Sequence, residues 1–243
     1  MRHEFAGTAA LLLLAGIGAA SAQERQRHAL GEFESGASSN GVLVTAPHGT
    51  FDANSGPIAI EAARLAGAGH VVASRFVVDK VRINVNRPTE GAFQGCAQEA
   101  RTERAKDVYE AYSARVASAA GGKPLRLYVE VHGNSNPKTA QNIEVATIGI
   151  DAAEARAVRD AYPEMLARVR AAVPGFPELA LAIEPVDRIT YTARCAKEFG
   201  IFTREFAQRG VHFEFPRSAR EFDAARGAAM LVADVVRRLS DKP

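Results

Sequence analysis

Apolar positions along this chain switch repeatedly between a period of two and a period near 3.6. Gly41–Ala46 (GVLVTA) is an apolar run of strand character. It is followed by SGPIAIEAARLAGAG, where Ser55 can cap a helix and Pro57 sits in its first turn. HVVAS (70–74) and FVVDKVRINV (76–85) are β-rich, and a charged helical segment is expected over Glu99–Ala119, ended by Gly121 and Gly122. LRLYVEVH alternates: Leu125, Leu127, Val129 and Val131 point one way, while Arg126, Tyr128, Glu130 and His132 point the other. NIEVATIGI (142–150) predicts a strand, Asp151–Val173 a helix, Thr190–Phe199 a short helix, VHFEF (211–215) a strand and Ser218–Leu239 a final amphipathic helix.

Strands interleaved with helices predict an α/β sandwich around a largely parallel central sheet. In such sheets ligands collect at the carboxyl ends of the strands. Gln23–Asn40 is polar and rich in Gly and Ser, and is expected to be a loose leader before one catalytic domain over residues 41–243. No internal repeat is present.

Residues 1–22 change the picture of location. Arg2 and His3 precede an apolar run from Ala9 to Ala20, and Ala20-Ser21-Ala22 has the small-x-small form of a cleavage site. This pattern predicts a secretory signal peptide and a periplasmic or secreted protein with no stable membrane association after cleavage. Cys96 and Cys195 can then pair, closing a loop of roughly 100 residues that contributes about 4–5 kcal/mol in the chain-entropy model. Two buried free thiols are the alternative.

A formal net charge of +2 with 24% charged residues gives no electrostatic footprint for nucleic acid. Tryptophan is absent and aromatics are only 7%, which argues against a stacking platform. No G-x-S-x-G elbow, Walker A or G-x-G-x-x-G motif follows a strand.

The chemistry gathers at strand ends. His48 and His132 each close a β-run and each is followed by glycine, so the backbone can turn and admit a close approach. Two histidines and a carboxylate are a common catalytic zinc set. Asp52 is the favoured carboxylate, and Glu61 is the rival. Glu214, at the end of VHFEF and on the same face as His212, is a candidate general base; a salt bridge to Arg217 or Arg220 is its structural alternative. Glu130, two residues before His132, suits support of a ligand. In RINVNRPTEG, Arg82 and Arg87 can clamp a substrate carboxylate, Asn84 and Asn86 can add hydrogen bonds, and Asn134 can reach substrate or orient a ligand.

APHGT, SRFVVD, VNRPTEG, VEVHGN and HFEFPRSAR occur in this order from Val42 to Arg220, and together they resemble the N-formylglutamate amidohydrolase family. The resemblance implies a three-layer, zinc carboxypeptidase-like fold. It also implies zinc on His48, His132 and a carboxylate near Asp52, Glu214 as general base, and Arg87 at the substrate carboxylate. Asn84 stands where that family commonly has aspartate, and Gly133 where it commonly has serine. The expected activity is hydrolysis of an amide in an N-acyl amino acid or small peptide bearing a carboxylate. A γ-glutamyl or peptidoglycan peptide is the alternative substrate, and a non-catalytic binding protein the alternative class.

Overall fold

The computed structural model describes residues 23–91, 95–122 and 125–240. The expected signal peptide lies outside the described residues. At the centre are four parallel strands: β3 (Val42–Ala46), β4 (Gly69–Ser74), β8 (Leu125–Asn134) and β11 (Ala207–Pro216). Their order is β4-β3-β8-β11. Beyond β11, β9 (Asn142–Ile148) runs antiparallel, and β10 (Ala180–Ile183) pairs parallel to β9. Beyond β4, β2 (Gly31–Gly36) and β1 (Glu24–His28) add antiparallel strands. The α/β class is as expected, but the sheet is mixed rather than mostly parallel.

The expected loose leader over 23–40 is thus corrected, because most of it is a β-hairpin on the sheet. Its core contribution is Phe33, buried against Phe76 with ring centroids 4.8 Å apart. Exposed charges on β1 then cover the outer edge, which discourages pairing with another chain.

Helices cover both faces of the sheet. The core on one side joins β3, β8 and β11 to α1 (Ser55–Ala66), α3 (Ala152–Ala172) and α6 (Phe222–Ser240). In the other core, α2 (Glu103–Ala119) and α4 (Arg194–Phe199) pack with Leu43, Val71 and Tyr128. Local chemistry explains several boundaries. Helix α2 begins at Glu103 rather than Glu99, because the Thr102 side chain accepts a bond from Ala105 N. Asp151 and Glu154 form a reciprocal capping box on α3. The expected last helix is broken: α5 (Arg217–Arg220) is separated from α6 by extended Glu221, and Phe222 has φ 28°. Within FVVDKVRINV, Asp79 and Lys80 are both left-handed (φ 51° and 66°), which turns β5 (Val77–Val78) back onto β6 (Val81–Asn84) as a tight hairpin, and β6 pairs in turn with β7 (Thr89–Glu90).

The sulfurs of Cys96 and Cys195 are bonded. The bond ties a short 3-10 turn, Cys96–Gln98, to the first residues of α4. Among the described residues, no helix is long and apolar enough to cross a membrane.

Candidate metal centre and active site

Because β3, β8 and β11 are parallel, their carboxyl ends open on the same side of the sheet. His48 follows β3, His132 lies near the end of β8 and Glu214 near the end of β11. A cavity of about 690 Å³ sits over them, lined also by Asp52, Arg82 and Tyr191.

Asp52 reaches His48 through one turn of backbone. Its N–H donates to the His48 carbonyl at 2.8 Å, and its own carbonyl accepts from Ser55 N at 2.9 Å. Gly49 allows that turn to lie flat against β4, since a Cβ there would stand 2.9 Å from the Ala73 carbonyl oxygen. Asp52 Oδ2 then lies 3.5 Å from His48 Nδ1 and 3.2 Å from His132 Nδ1. One ligand atom from each of the three residues falls within 4.8 Å of the others. Glu61 is elsewhere, on α1, with both carboxylate oxygens held by Arg64 at 2.7 Å. The structure therefore brings Asp52, and not Glu61, to the two histidines.

Glu130, His132 and His212 make a second triad that could hold an ion. We assign it to support. Glu130 is wholly buried, and its carboxylate already accepts from Tyr128 Oη (3.0 Å), Asn86 Nδ2 (3.2 Å to each oxygen), His132 Nε2 (3.0 Å) and His212 Nδ1 (2.8 Å). In the His48, Asp52 and His132 set, by contrast, His48 Nε2 is buried with no hydrogen-bond partner among the described residues. A buried imidazole nitrogen left unsatisfied is costly unless something binds it. The set also faces the cavity, and its two nitrogens and carboxylate are a donor combination suited to a divalent transition metal. It therefore fits a metal ion, with Glu130 fixing the ring of His132 from behind.

The charges follow from these contacts. Burial pushes the His48 imidazolium down to about 3, and nearby Arg82 adds to the effect, so His48 is neutral and free to ligate. Burial alone would lower the His132 imidazolium too, but its bonds to Asp52 and Glu130 win and hold it up at about 10. Burial opposes ionisation of Asp52 and Glu130. Their histidine partners more than offset it and hold both carboxyls well below the usual range.

Glu214 Oε1 lies 3.3 Å from His212 Nε2, and Oε2 has no hydrogen-bond partner among the described residues. The alternative salt bridge is not formed. Arg217 pairs with Glu221 at 2.9 Å, and Arg220 donates to the carbonyls of Phe215, Ala53 and Asn134. Glu144, opposite Glu214 on β9, accepts from the backbone N–H groups of Thr190 and Tyr191 at 2.9 Å and so holds the far rim of the cavity.

The two arginines have different surroundings. Arg87 is buried and bound in a fork to Glu99, with Nε to Oε2 at 2.7 Å and Nη2 to Oε1 at 2.5 Å. Its Nη1 donates to Asn86 Oδ1 at 3.0 Å, and Asn86 in turn donates to Glu130. Arg82 has no ion-pair partner among the described residues, its Nε is buried without a bond, and its guanidinium lies 5.8 Å from the centre of the Phe51 ring. Asn134 uses Oδ1 on Asn136 N and Thr139 Oγ1, leaving a buried, unpartnered Nδ2 at the cavity wall.

Sequence reasoning did not assign His212, Glu99 or Glu144 to the site. For His212 the signal was present, because it alternates with Glu214 on the face that carries the chemistry.

No family model matches the chain, and no curated protein matches it. Solved structures resemble it at low identity. A bacteriophage poly-gamma-glutamate hydrolase is 12% identical, with a TM-score of 0.47 over 88% of this chain and 90% of that one. N-formylglutamate amidohydrolase from Ralstonia eutropha JMP134 is 13% identical, with a TM-score of 0.41 over 86% of this chain and 97% of that one. A metallo-carboxypeptidase from Burkholderia cenocepacia is 14% identical, with a TM-score of 0.36; the match covers 85% of this chain and 60% of that one.

Proposed function

We propose that this protein is a metal-dependent amidohydrolase that cuts an amide in a small N-acyl amino acid or peptide carrying a carboxylate. One observation carries the reading. Ligand atoms of His48, Asp52 and His132 converge beside a cavity that Glu214 also lines, and one Glu214 carboxylate oxygen has no hydrogen-bond partner among the described residues.

The three residues would hold zinc through two imidazole nitrogens and one carboxylate oxygen. When bound, the ion supplies Lewis-acid polarisation of the substrate carbonyl and acidifies water. The chain does the rest. Glu214 takes the proton of the attacking water and returns it to the leaving nitrogen, which avoids expelling an amide anion. Arg82 anchors the substrate carboxylate, in place of Arg87, whose fork is engaged by Glu99. Asn134 Nδ2 supplies a further donor along the wall. Arg87 and Asn86 instead fix Glu130, and through it His132. The cavity suits a small substrate. The disulfide supports an exported location, in the periplasm or outside the cell.

The test is metal analysis of the purified protein, followed by turnover on a panel of N-acyl amino acids and γ-linked peptides. Wild type is expected to contain about one zinc and to turn over at least one panel member, with Glu214→Gln retaining the metal and losing at least about 100-fold in kcat. A protein that neither carries zinc nor gains activity when zinc is added would sink the reading.

A further inference from the structure

We propose that His212 is a positioning residue for Glu214, bracing that carboxylate against the buried Glu130 so that it keeps its place at the cavity wall. The proposal rests on the hydrolase reading for its consequence, though not for its geometry. Glu214 has very little else to hold it. Among the described residues, His212 Nε2 is the one hydrogen-bonding neighbour of Oε1, at 3.3 Å, and Oε2 has none.

His212 itself is fixed on every side. Its ring stacks on His132 with centroids 4.0 Å apart and planes 21° apart, and meets Phe202 edge-on at 5.8 Å. Its Nδ1 lies 2.8 Å from Glu130 Oε2. Strand register explains the arrangement. On β11 and β8, His212 stands opposite Glu130 and Glu214 stands opposite His132, all on one face. His132 Nε2 donates to the same Oε2 atom of Glu130. One carboxylate oxygen is thus the common anchor of a metal-ligand histidine and of the histidine that steers the base. Their separation is set by the sheet and not by loops, which is how a site is held to a fraction of an ångström.

A merely packed core histidine would need its ring but not both nitrogens. Two substitutions separate the cases, because an asparagine amide reaches where Nδ1 stands and a glutamine amide reaches where Nε2 stands. If Nε2 steers Glu214, His212→Gln retains most of kcat. His212→Asn, at similar thermal stability, loses about 10–100-fold in kcat with KM little changed, as loss of a supporting shell typically does. Equal losses in both variants, or a loss that appears in KM alone, would overturn the proposal. A second readout needs no substrate. Crystal structures should show one Glu214 conformer in wild type and in His212→Gln, and a displaced or divided one in His212→Asn. An unmoved Glu214 in all three would also overturn it. Because this readout holds whether or not the protein turns anything over, it separates failure of the positioning role from failure of the hydrolase reading.

Discussion

Arg220 lies directly against Gly133: a Cβ on that glycine would stand 2.1 Å from Arg220 Nε. The guanidinium occupies that space to donate to Phe215 O, Ala53 O and Asn134 O. It thereby staples together the three segments that follow Asp52, His132 and Glu214. Glycine after His132 is the condition for this staple.

Gly133→Ala should therefore displace Arg220 and release three carbonyls at once. The expected destabilisation is about 1–3 kcal/mol, the usual range for overpacking a filled site. Chemical denaturation of the variant measures it. An unchanged midpoint and slope would mean that Arg220 moves aside without loss.

Arg82 and Arg87 should part company when each is replaced by glutamine. Arg82→Gln removes a cation that forms no ion pair among the described residues, so it should leave stability nearly intact and raise KM for a carboxylate substrate. Loss of a charge-assisted contact predicts roughly 10–100-fold, from about 1.5–3 kcal/mol. Arg87→Gln strands the Glu99 carboxylate, which is buried, and should cost about 3–5 kcal/mol of stability. Steady-state kinetics beside thermal melts decide between them. A stable Arg87→Gln protein with a raised KM would return the substrate carboxylate to Arg87.

The contrast between these arginines shows what was legible in the sequence. His48, His132 and Glu214 could be read because each closes an apolar strand, where a polar side chain needs a reason. Asp52 could be read from its spacing, although Glu61 was excluded only by seeing it bound to Arg64. The fork between Arg87 and Glu99 could not be read, because Glu99 stands where the helix was expected to begin and no periodicity ties it to the loop that carries Arg87. The hairpin β1–β2 was missed because an edge pair shows mostly polar residues and only Phe33 enters the core. β10 was missed because four residues beside one neighbouring strand carry too little pattern. The bracing of His212 depends on the register of β8 against β11, a long-range pairing that alternation within one strand does not encode.

Metal-free protein should be most stable near pH 6.5. His132 rises from 6.5 unfolded to about 10 folded, so its contribution is complete below 6.5 and is lost as pH climbs towards 10. His48 falls from 6.5 to about 3, so below 6.5 the unfolded chain takes up a proton that the fold refuses, and stability drops towards pH 3. Asp52 and Glu130, held low in the fold, contribute above their unfolded values and lose that contribution in acid. Thermal melts of chelator-treated protein from pH 4 to pH 10 should therefore trace a peak. A flat profile between pH 6.5 and 10 would contradict the assignment for His132.

Zinc binding at pH 6 should release about one proton, because one of the three ligands is protonated there when no metal is bound, and the pH lies below about 7, where metal-bound water ionises. His48 is already neutral, and Asp52 is already ionised. His132 carries the proton, held by carboxylates on both ring nitrogens, and its Nδ1 must lose that proton to ligate. Calorimetric titration with zinc in buffers of different ionisation enthalpy reads the number directly, as the slope of the observed heat against the buffer enthalpy. A slope near one fits His132 as the ligand that exchanges its proton for the ion. His132→Ala should lose both the slope and most of the affinity. A slope near zero in wild type would mean either that His132 is neutral before zinc arrives or that zinc binds elsewhere, and the His48→Ala variant separates the two, since only the first leaves binding dependent on His48.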